Sequence, residues 1–130
     1  MKGFSAAADA LFAFAGYAAI DLILAAGGYP RLQRIVRSWP TRRTRQINPD
    51  TTTHVCAALD RAALWYPRTR LCLARSAVAT CLLRWHGLPG QMIVGARLMP
   101  FRAHAWVEVD GEVIADAASV RRRYAVLDRL

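Results

Sequence analysis

At 130 residues the chain has room for one domain with a genuine core and none for a second. Apolar content of 55% with 21% charged residues excludes an intrinsically disordered protein. The formal net charge of +9 points to an acidic partner: nucleic acid, an anionic membrane surface or an acidic peptide.

The first stretch, 4–26, is rich in alanine, leucine and phenylalanine. Asp9 and Asp21 interrupt it and no small-x-small cleavage site follows, so it reads as a long amphipathic or buried helix. Peripheral membrane contact stays compatible with that reading. Ser5 is the expected N-cap, and Gly27-Gly28 should stop the helix before Tyr29-Pro30. A short basic helix is expected from Pro30 to about Arg37, ended by Trp39-Pro40, then a polar loop over 41–49. A third helix should run from about Asp50 or Thr51 to Trp65, stopping at Pro67, and a fourth from about Leu71 to His86, ended by Gly87.

Beyond Gly87 the period changes, and strands are expected over 91–98, 103–109, 112–116 and 124–127. Helices first and antiparallel strands second make an α+β fold. Asp110-Gly111 marks a hairpin with two candidate registers. A two-residue loop pairs Val109 with Glu112 and leaves His104 and Asp116 on opposite faces. A three-residue loop sets Glu108 opposite Glu112 and His104 opposite Asp116, with β-carbons about 4.5–5.5 Å apart. The second register is the expectation, because it assembles a site.

That site begins at Cys72. A cysteine in the first turn of a helix meets unpaired N–H groups and the positive end of the dipole, and both favour the thiolate. Thr69 is the expected N-cap, and Arg70 and Arg75 add positive potential. His104, on a strand with Trp106 two residues along the same face, is the candidate base, and Asp116 the acceptor that orients it. His54 and His86, near helix ends, read as structural or solvated, and Cys56 and Cys81 as small core residues. Three cysteines cannot all pair within the chain, which points to a reducing compartment, the cytoplasm. With no CxxC, neither a metal site nor another cofactor is expected. Two alternatives accompany the hydrolytic reading: acyl transfer by the same triad, and a basic binding module without catalysis. No helix-turn-helix, zinc finger or aromatic RNA-binding motif is evident, so no nucleic-acid partner is expected.

Cys72-Leu73-Ala74-Arg75-Ser76, Gly87-Leu88-Pro89, the run from Pro100 through His104-Ala105-Trp106-Val107-Glu108-Val109-Asp110-Gly111, and Asp116 together resemble the transglutaminase-like leader peptidases of lasso-peptide biosynthesis. The resemblance covers 50–130, which would be the catalytic portion of a single 1–130 domain, with 1–49 as its helical N-terminal portion. It implies a papain-like fold with the nucleophile at a helix N-terminus and a Cys72–His104–Asp116 triad. It also implies removal of a leader from a ribosomally made precursor, at the leader–core junction, before macrolactam closure. The implied arrangement is a stand-alone protease working with a separate leader-binding protein and contacting the macrolactam cyclase. Docking of an acidic leader or partner would then give a use to the arginine clusters, over 31–45 and at Arg121-Arg122-Arg123.

Overall fold

A computed structural model of the chain describes residues 6–41, 51–65, 72–98, 101–114 and 123–130. Three helices, α1 (Ala6–Ser38), α2 (Thr51–Trp65) and α3 (Cys72–Trp85), precede four strands: β1 (Gly90–Arg97), β2 (Arg102–Val109), β3 (Glu112–Ile114) and β4 (Ala125–Arg129). The strands form one antiparallel sheet in the order β3-β2-β1-β4. This is the expected α+β arrangement of helices followed by a small antiparallel sheet.

Within α1, Gly28 takes φ 69° and ψ −173°, so two helical segments meet at a kink. Only glycine enters that region without strain, and Pro30 then starts the second segment with its ring in the first turn. Inwardly, α1 presents Ala13, Tyr17 and Ile20 to the core. Tyr17 Oη donates to the Leu59 carbonyl at 3.0 Å, tying α1 to α2, and burial pushes that phenol up to about 12.

α3 is the central element. From Ala74 to Arg84 every residue but Arg75 is buried, because α1 and α2 cover one side and the sheet the other. A helix enclosed in this way is apolar nearly all round, and its polar members satisfy themselves locally. Thr80 Oγ1, for example, donates to the Ser76 carbonyl at 2.8 Å. Met92, Ala105 and Val107 supply the sheet's contribution to the main core.

Arg84 fastens this core to three further segments: the end of α1, the start of β1 and Leu130. Its buried guanidinium donates to the carbonyls of Gly90 at 2.9 Å, Trp39 at 3.0 Å, Leu130 at 2.7 Å and also Val36. Desolvation lowers its pKa. On the far side of α3, one Asp9 oxygen accepts from His54 Nε2 at 2.8 Å and His86 Nε2 at 3.1 Å, joining α1, α2 and the end of α3. These two histidines are structural, as their helix-end positions suggest.

The hairpin register differs from the expected one. Val109 pairs with Glu112, Glu108 with Val113 and Val107 with Ile114 around the two-residue turn Asp110-Gly111. Both turn residues have positive φ, 51° and 82°, which matches the right-handed twist of the flanking strands. The three-residue alternative would have opposed Glu108 to Glu112. Glu108 is only 2% exposed, so no solvent is available to screen two facing carboxylates.

Candidate active site

β2 divides its side chains between two faces. Ala105 and Val107 join the helical core, while Trp106 forms a second small core with Ile93, flanked by Val113 and Tyr124. His104 lies on the Trp106 side. Its ring stacks 6.1 Å from Trp106 and sits 5.4 Å from Tyr124, and Trp106 and Tyr124 are 6.2 Å apart. Offset rings at these distances restrict one another's planes, so the imidazole is held in place by packing as well as by its strand. Arg97 completes the group with its guanidinium 5.9 Å from the Tyr124 ring.

Room for the indole comes from Gly95, which pairs directly with His104. A β-carbon at that position would approach the Trp106 ring to 2.9 Å and the Ala125 carbonyl oxygen to 3.0 Å. The indole is then fixed at its polar end. Trp106 Nε1 donates to Glu108 Oε2 at 3.0 Å, and Arg129 Nη1 donates to Glu108 Oε1 at 3.2 Å. Glu108 therefore orients the ring that packs against His104.

His104 also borders a cavity of about 350 Å³. Its other walls are α2, through Val55, Cys56 and Leu59, and α3, through Arg75, Ser76 and Ala79. Arg75 and Ser76 lie three and four residues after Cys72, so one helical turn separates this wall from the first described residue of α3. Cys72 is the first described residue of α3, and its side chain lies outside what the structure describes. Thr69, Arg70 and Asp116 also lie outside the described residues, as do Ser5 and Arg121. Arg75 pairs with Asp60 at 2.6 Å, which offsets part of the positive potential it brings to this end of the helix.

The two described cysteines are poor thiolates. Burial pushes Cys81 up to about 11 and raises Cys56 as well. Cys81 is the small core residue its sequence suggested, whereas Cys56 is half-buried on the cavity wall. Glu108 and Gly95 are site residues that sequence reading missed. The available signal for Glu108 was its alternation with His104 and Trp106 on one strand face. Among the described residues no group of histidine, cysteine, aspartate or glutamate could hold a metal ion.

Comparison with known proteins adds the family. The chain is 36% identical over 56 residues to the microcin J25-processing protein McjB of Escherichia coli, a match covering 43% of this chain and 27% of that relative. The aligned part thus spans about a quarter of the relative's length. No solved structure matches the chain significantly. The transglutaminase-like superfamily matches residues 17–129, from the middle of the first α1 segment through β4, and with the helix-then-sheet order found above the chain belongs to that superfamily.

Proposed function

We propose that the protein is a cysteine peptidase that removes the leader from a lasso-peptide precursor before the macrolactam closes. The observation that carries this reading is one cavity bordered both by the α3 turn directly after Cys72 and by His104 on β2. Superfamily membership and the likeness to a microcin-processing protein supply the substrate class.

In this reading His104 takes the thiol proton of Cys72, and the thiolate attacks the scissile carbonyl at the leader–core junction. The carbon–nitrogen bond breaks as the His104 imidazolium gives its proton to the departing core amine, leaving a leader thioester on Cys72. Water, deprotonated by His104, then attacks the thioester, and the leader carboxylate leaves as the thiol reforms. Asp116 would hold the imidazole tautomer and stabilise its cation, a role that the observed hairpin register does not itself provide. The backbone N–H at the start of α3 is suited to receive the developing oxyanion, since it belongs to the unpaired first turn. A separate leader-binding protein would present the precursor, and the cyclase would receive the freed core.

The test is incubation of the protein and its leader-binding partner with a leader–core precursor, followed by intact mass. Cys72→Ala should abolish cleavage with an unchanged circular dichroism spectrum, and Asp116→Ala should leave residual turnover because its role is orientation. Normal cleavage by Cys72→Ala, purified free of the wild type, would remove the assignment.

A further inference from the structure

Between Ala8 and Ala26 every exposed position of α1 is apolar. Leu11 is 72% exposed and Leu22 71%, with Phe12 and Phe14 beside them and alanines between. Among the polar groups of the same stretch, Asp9 holds the two histidines and Tyr17 holds the Leu59 carbonyl, while Asp21 is half-buried. A helix that meets water carries the opposite pattern. Although α1 is long and apolar enough to cross a membrane, only 17% of its most apolar window is buried in the fold. An apolar surface of this extent marks a face that something else covers.

The second α1 segment says what. Arg31, Arg34 and Arg37 are exposed at three-residue spacing beyond the Gly28 kink. Arg31 and Arg34 line a shallow hollow with Ile35 and Ser38. Ile35 also walls an apolar cavity of about 270 Å³, to which Phe12, Ile23 and Trp39 contribute. A cationic hollow and an apolar recess thus share a wall, which suits ligands that are anionic at one end and hydrocarbon at the other. The fully exposed positions between Ala8 and Ala26 offer no polar side chain for the hydrogen bonds that a protein partner's interface normally makes. Lipid chains require none.

We propose that this face lies flat on an anionic bilayer surface, with Leu11, Phe12, Phe14 and Leu22 among the acyl chains and Arg31 and Arg34 on lipid phosphates. Lying on the membrane keeps the Asp9 and Tyr17 bonds intact, whereas spanning it would carry the Asp9–His54–His86 group into hydrocarbon. The proposal stands apart from the peptidase reading; it sets where the protein works rather than what it does.

The experiment is co-sedimentation of the full chain with phosphatidylcholine vesicles, with and without added phosphatidylglycerol. Binding should require the anionic lipid and weaken as salt rises. Leu11→Ser with Leu22→Ser, and separately Arg31→Glu with Arg34→Glu, should each lower the partition coefficient about tenfold or more while leaving the melting curve in place. Equal partition onto both vesicle types, or no partition at all, would overturn the proposal. So would a stable dimer, seen by light scattering and dispersed by Leu11→Ser with Leu22→Ser, in a protein that ignores vesicles.

Discussion

Glu108 is the carboxylate on which the second face of the sheet is organised, although the sequence places it only two residues from a hairpin tip. It is 2% exposed and holds both Trp106 and Arg129. Removing it leaves a buried indole N–H and weakens the stack against His104. Glu108→Ala should therefore cost about 2–3 kcal/mol in urea unfolding, while Glu108→Gln, which can still accept from Trp106, should cost about 1 kcal/mol. Burial of Glu108 was not legible in the sequence, because its cationic partner comes from Arg129, 21 residues away on a strand that never pairs with β2. The same holds for Asp9, which read as a charge interrupting an apolar helix until His54 and His86 were brought to it from 45 and 77 residues away. Local pattern gave the chemical type of these residues, and only tertiary contact gave their use.

Elements were more legible than residues. Gly28 and Gly87 ended helical segments where backbone freedom allows it, with φ 69° and 92°. Strand bounds fell within two residues of the expected ones. The hairpin failed for a specific reason. Turn chemistry decides the register: Asp110-Gly111 adopts the two-residue turn that positive φ at both positions favours. The described part of β3 ends at Ile114, and Asp116 lies outside the described residues. Between elements, Asp128 of β4 accepts from Tyr29 at 3.1 Å, Arg37 at 2.7 Å and also Gln33, all in the second segment of α1. Desolvation pushes this carboxyl up, but the bonds from Gln33, Tyr29 and Arg37 outweigh it and hold the pKa below the ordinary value. A depressed folded-state pKa contributes stability that is complete above the unfolded value, about 3.9, and lost as pH falls through the folded one. Melting temperatures from about pH 6 to about pH 2 should fall steeply at the acid end for the wild type and less steeply for Asp128→Asn.

At the scale of the whole molecule, α3 is enclosed by α1, α2 and the sheet, and Arg84 near its end ties three further segments to it: the end of α1, the start of β1 and the C-terminal Leu130. Arg84→Met keeps the volume and strips four buried carbonyls of their donor, so it should cost about 3 kcal/mol or more, read as a shifted denaturant midpoint at constant slope. The other end of the same helix is Cys72, one turn from the cavity that His104 borders. Holding the core end rigidly is what would give a nucleophile at the N-terminus a fixed position relative to β2.

The reading depends most on Cys72 being a reactive thiolate, and the other two cysteines supply an internal control. Burial holds Cys56 and Cys81 above the ordinary thiol range. Alkylation with limiting iodoacetamide at about pH 6, mapped by peptide mass, should modify Cys72 about tenfold or more faster than either of them. Modification of Cys72 no faster than Cys56 and Cys81, with the leader-binding partner present as well as absent, would contradict the peptidase account.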